Sequence, residues 1–169
     1  MAHFTIYTYR YLLASAQRAY LRAHDKDDEL VECMNVILFS ALALEAFLNH
    51  LGARTVQSWP PLKRKLAPPQ KLKFILAQHR VSVDLSRPPY QSFATAFQFR
   101  NLVAHAETEH VAFEKTADAR HPPEAGWQTY CKLPIAERIL KDVVVIFRTL
   151  PGQLGLHDEA PGYVLAEEK

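Results

Sequence analysis

Leu30, Met34, Ile37, Leu38, Ala41, Leu44, Leu48 and Leu51 recur at intervals of three and four, a pattern that only an α-helix gathers onto one face. The same period runs through Tyr9, Leu12, Leu13, Ala16, Ala19 and Tyr20, and again through Ile135, Ile139, Val143, Ile146 and Leu150. The spacing predicts a first helix over 8–23 and a second that opens at Glu29, after the cap-type Asp25, Asp27 and Asp28, and stops at Gly52. A last helix starts at Pro134 and ends at Pro151-Gly152. Between these, helices are expected from Pro69 to His79 and from Tyr90 to Thr108, each opened by a proline pair. Trp59-Pro60-Pro61 and Pro68-Pro69 bracket a basic stretch that reads as a loop with a short turn. Around His121-Pro122-Pro123, Val111 and Phe113 and then Trp127, Thr129 and Cys131 alternate weakly, so residues 110–132 read as a small hairpin or a loop.

The predicted fold is all-α, an antiparallel bundle of four to five helices over residues 1–150 with a C-terminal tail at 151–169. The 169 residues suit one core, and 49% hydrophobic against 22% charged residues is an ordinary globular balance. Only five glycines are present, too few for a glycine-rich phosphate loop. No nucleophile elbow, Walker loop or His-Glu-x-x-His signature occurs. The apolar run Val36–Leu48 is interrupted by Ser40 and Glu45 and is too short to span a bilayer. No basic leader precedes an apolar run at the N-terminus. Two cysteines without paired spacing, Cys33 and Cys131, suit a reducing compartment, with Cys33 in the core. A soluble, cytoplasmic protein with no membrane partner is expected.

A net charge of +2 creates no global field, but the charge is unevenly spread. From 54 to 87 Arg54, Lys63, Arg64, Lys65, Lys71, Lys73, Arg80 and Arg87 face a single acid, Asp84, and the first 23 residues hold Arg10, Arg18 and Arg22 with no acid. Such clusters are solvated surface or a phosphate-facing patch; in the second reading Lys63, Arg64, Lys65, Lys71 and Lys73 contact RNA.

Polar residues in the wrong places carry the functional argument. On a wheel of about 100° per residue, Arg100 falls between one apolar strip of Phe99, Leu102, Val103 and Ala106 and another of Phe93, Phe97 and Ala104. Asn101 and His105 share the adjoining polar edge. An arginine keeps its charge on burial, so it either snorkels outward on a packed stem or finds a partner. Glu45 is similarly placed inside the second helix's stripe, with Asn49 one turn later. A pairing of Glu45 with Arg100 resolves both anomalies. It is either an architectural ion pair or a clamp that holds the guanidinium as a fork for phosphate. His50 and His79 lie near expected helix ends, where imidazoles favour the last carbonyls. His105 and His110 diverge by about 140° on an ideal helix, so no metal ligand set is assigned.

Arg100-Asn101-Leu102-Val103-Ala104-His105 resembles the Arg-polar-x-x-x-His motif of the HEPN superfamily, found late in a helical bundle. Ala43-Leu44-Glu45-Ala46-Phe47-Leu48-Asn49 resembles the second-helix segment of many bacterial members. The resemblance spans roughly residues 8–150 and implies a metal-independent endoribonuclease needing no cofactor, often part of toxin–antitoxin, abortive-infection or other phage-defence systems. Its non-catalytic relatives bind RNA, nucleotides or a protein partner, including an antitoxin or a nucleotidyltransferase. One subgroup carries a modified tyrosine two residues after the histidine; here that position is Glu107. The implied catalytic residues are Arg100, His105 and Asn101, supported by Glu45 and Asn49. Imidazole exchanges protons near neutral pH, an arginine stabilises phosphate charge, and an amide orients substrate. Because Arg100 and His105 diverge on one helix, a homodimer with a shared cleft is expected, its contact made by the strip of Phe93, Phe97 and Ala104. A purely structural bundle is the third reading.

Overall fold

One long helix, α2 (Glu29–Thr55), is the axis on which α1 (Thr8–Arg22), α3 (Trp59–Lys65), α4 (Pro68–Gln78), α5 (Tyr90–Ala104) and α6 (Leu133–Gln153) all pack. The computed structural model describes residues 5–25, 28–110 and 124–156, and no strand occurs among them. The architecture is thus an all-α bundle, with the long helices where the apolar period places them. Central position explains why α2 is apolar around most of its circumference: Cys33, Ile37, Ala41, Leu44, Leu48 and Leu51 are fully covered, and so are Val36 and Ala43 beside them. By length and composition α2 is apolar enough to cross a bilayer, more than the Val36–Leu48 run suggested. Half of its apolar window is buried against its neighbours.

Rings tie the outer helices to this axis. Phe47 of α2 stacks on Phe147 of α6 at 4.2 Å between centroids, and Tyr9 of α1 meets both at 5.1 and 5.7 Å. Arg22 donates to both carboxylate oxygens of Glu32, at 2.6 and 3.0 Å, closing the α1–α2 turn. The guanidinium holds the Glu32 carboxyl below its ordinary range.

Several boundaries differ from expectation, each for a local reason. Gly52 does not end α2, which runs on to Thr55. The glycine is there because the indole of Trp59 lies on it: a Cβ at 52 would sit 2.3 Å from Trp59 Cε2. Trp59, 2% exposed, is thereby sealed into the core and anchors α3. The basic stretch expected as a loop is therefore a helix, with Pro60 and Pro61 in its first turn, where proline costs no hydrogen bond. Six α-helices stand among the described residues instead of the four to five expected.

α5 ends at Ala104 rather than Thr108, and His105 caps it with its backbone N–H on the Asn101 carbonyl. Trp127–Cys131 is no hairpin arm: Gly126–Tyr130 forms one turn of 3-10 helix whose Tyr130 packs on Phe99. Val111 and Phe113 lie outside the described residues. The expected tail also starts later, since Pro151 and Leu154 are buried and Leu156 packs on the core. Residues beyond 156 fall outside the described set.

Candidate functional site

Three helices meet at Glu45. Its Oε2 accepts from Arg100 Nη2 of α5 at 3.1 Å, and its Oε1 accepts from Lys71 Nζ of α4 at 2.8 Å. The partnership of Glu45 with Arg100 read from the two apolar arcs is present. Lys71 is an addition, because it belongs not to an exposed basic face but to this junction, with its side chain only 3% exposed. The reason lies in its register: Lys71 shares the buried face of α4 with Leu72 and Ile75. The signal that exposed Arg100, a cation on an apolar arc, was thus available for Lys71 as well.

The junction holds two cations on one carboxylate, leaving one unit of positive charge at a partly open surface. Arg100 and Glu45 are 26% and 28% exposed at the side chain, so water or a ligand reaches them while Lys71 is sealed below. The guanidinium also lies over the Phe97 ring, 5.5 Å from its centroid, and its Nε is buried with no hydrogen-bond partner among the described residues. Glu45 and Phe97 thus fix Arg100 from two directions, which gives the planar fork a defined orientation.

The other motif residues stand apart from that clamp. Asn101 and His105 are exposed, His105 at the very end of α5. As a cap residue with φ −118° and ψ 18°, His105 leaves the helical path, so the wheel angle between it and Arg100 no longer applies. Phe93 and Phe97, expected at a dimer contact, are each 3% exposed and fill the core of their own chain. The exposed apolar edge near the motif is instead Leu102, 41% exposed, with Ala104 and Ala106.

Asn49 lies in a separate groove on the other flank of α2, together with Lys63 and with His50 and Arg54, residues the motif did not single out. The Oδ1 of Asn49 is buried without a hydrogen-bond partner among the described residues. His50 lies five residues before the end of α2 and packs edge-on against Tyr7 at 5.4 Å. Arg64, Lys65 and Lys73 are exposed on α3 and α4. The thiols of Cys33 and Cys131 are both buried, and burial pushes them up to about 11 and about 12, so neither serves as a nucleophile at neutral pH. No three metal-ligating side chains converge among the described residues. No family model, curated protein or solved structure matches this chain.

Proposed function

We propose that this chain is a metal-independent endoribonuclease of the HEPN type, working as a homodimer. The observation that carries the reading is the Arg100 guanidinium clamped on Glu45 at 3.1 Å, five residues before an exposed histidine. In the proposed reaction the RNA 2′-oxygen attacks its own phosphorus and the bond to the 5′-oxygen breaks. A 2′,3′-cyclic phosphate and a 5′-hydroxyl result. His105 takes the proton from the 2′-hydroxyl or gives one to the leaving oxygen. Arg100 stabilises the charge that grows on the phosphate, and Asn101 orients the substrate.

A second chain brings its own Arg100, Asn101 and His105 to the same cleft. Leu102, the large exposed apolar residue of the motif, is the proposed centre of that twofold contact. Toxicity on expression, neutralised by an antitoxin partner in the cytoplasm, is the role that the resemblance adds.

The test is cleavage of structured and single-stranded RNA in EDTA by wild type and His105→Ala. Loss of at least about 100-fold in rate in the variant, with unchanged thermal stability, is expected. Equal cleavage by both proteins overturns the assignment of His105, and no cleavage by wild type overturns the ribonuclease. One observation favours the non-catalytic reading, an RNA-, nucleotide- or protein-binding bundle: within one chain, His105 and Asn101 are not drawn into the Glu45 clamp.

A further inference from the structure

Two arginine–glutamate pairs in this chain differ in how far they close. Arg22 meets Glu32 with both donors of one guanidinium edge, Nε on Oε1 at 2.6 Å and Nη2 on Oε2 at 3.0 Å. Arg100 meets Glu45 through Nη2 alone, on Oε2 at 3.1 Å. The other donor of that edge, Arg100 Nε, is buried and has no hydrogen-bond partner among the described residues. What it lacks is the second oxygen of Glu45, because Oε1 is taken by Lys71 Nζ at 2.8 Å. The fork of Arg100 is therefore half closed where that of Arg22 is fully closed.

A lysine in this place carries a cost. The Lys71 side chain is 3% exposed and shares its face of α4 with Leu72 and Ile75, where an apolar residue of similar length would pack without desolvating a charge. Glu45 would then be free to turn both oxygens onto Arg100, in the two-pronged pair that guanidinium and carboxylate geometry favours. Such a pair is electrically neutral. With Lys71 in place the three side chains carry one net positive charge, and Arg100, 26% exposed, is the cation that solvent reaches.

We propose that Lys71 is a positioning residue for the Arg100 site. By holding Glu45 Oε1 it stops the guanidinium from closing on its own carboxylate, and so leaves the Arg100 charge available to an RNA phosphate. Lys71 itself, sealed below, does not touch the ligand. The identity of the ligand rests on the ribonuclease reading, but the half-closed fork does not.

The test compares wild type, Lys71→Met and Lys71→Met/Glu45→Gln. In Lys71→Met the Arg100 Nε–H signal in a proton–nitrogen correlation spectrum should move towards that of Arg22, as Oε1 turns to Nε. Binding of a short single-stranded RNA, 2′-O-methylated so that it cannot be cleaved, is followed by fluorescence anisotropy across a salt series. It should weaken by about tenfold, and the slope of log Kd against log salt should flatten by about 0.7, the loss of one phosphate contact on a single strand. Cleavage of unmodified RNA in EDTA should fall by about tenfold or more. Adding Glu45→Gln removes the competing carboxylate charge and returns the site to one net positive charge. The double variant should therefore recover binding and cleavage to within about threefold of wild type.

A lysine that only braces the bundle gives the opposite result, a double variant no better than the single one, and that outcome overturns the proposal. So does a Lys71→Met protein that keeps the wild-type Arg100 signal or the wild-type salt slope. Should Lys71→Met not fold, Lys71→Gln, which removes the charge but keeps a donor, must flatten the salt slope by itself. The two readings fail separately. Binding that depends on Lys71 without cleavage by any of these proteins removes the ribonuclease and keeps the positioning role. Wild-type cleavage that Lys71→Met matches does the reverse, and wild type that neither binds nor cleaves RNA removes both.

Discussion

The Glu45 junction and the Asn49 groove occupy neighbouring turns of α2, about 6 Å apart along its axis, yet they bury charge to different degrees. At the junction a carboxylate stands between two cations, one of them almost wholly covered. In the groove Arg54 and Lys63 stand exposed to solvent. A carboxylate held between two cations fixes how three helices meet, whereas exposed cations on a concave wall stay in contact with solvent. The difference separates what α2 does for the fold from what it presents to solvent.

Removing the carboxylate breaks the comparison most sharply. Glu45→Ala leaves Lys71 covered and both cations facing each other, and should cost about 3 kcal/mol by urea denaturation. A loss below about 0.5 kcal/mol would mean that the junction relaxes into water and is no more structural than the groove. Next comes the support of the groove. Gly52→Ala drives a methyl into the Trp59 ring, with an expected cost of about 2 kcal/mol. Unchanged stability would show that the indole gives way freely.

Lys71→Met tests which cation Glu45 needs. Methionine fills similar space without charge, and the Glu45–Arg100 pair survives, so the cost should stay below about 1 kcal/mol. A loss near 3 kcal/mol would make Lys71 the essential partner instead. The smallest effect on stability belongs to the groove. Lys63→Glu, at an exposed position, should change stability by less than about 0.5 kcal/mol. A destabilisation comparable to that of Glu45→Ala would erase the distinction between the two regions.

The bundle was legible because helical periodicity is a local property, and the stripes of α1, α2 and α6 carry it without outside help. Arg100 and Glu45 were legible for a related reason: each interrupts such a stripe, and a charge inside an apolar arc demands a partner. Lys71 interrupts one too, but the surrounding run of lysines and arginines disguised it as surface. Gly52 misled because a glycine at the end of a stripe is a good stop signal, until an indole from the next helix occupies the space beside it. Phe93 and Phe97 misled because an apolar strip on a wheel does not say whether its own chain or another covers it. The groove was hidden altogether, since Tyr7, Arg54 and Lys63 meet only after α1 and α3 have docked on α2.

Two cations reaching one carboxylate from different helices also have a mechanical consequence. α4 and α5 seize α2 through Glu45 like two fingers on a dial, so the long helix cannot roll about its own axis without losing one grip. A roll of one residue, about 100°, would carry His50 and Arg54 off the groove wall altogether. The junction is therefore an angular stop for α2 beside its apolar packing, and a change at Glu45 should be felt at Arg54, two and a half turns away.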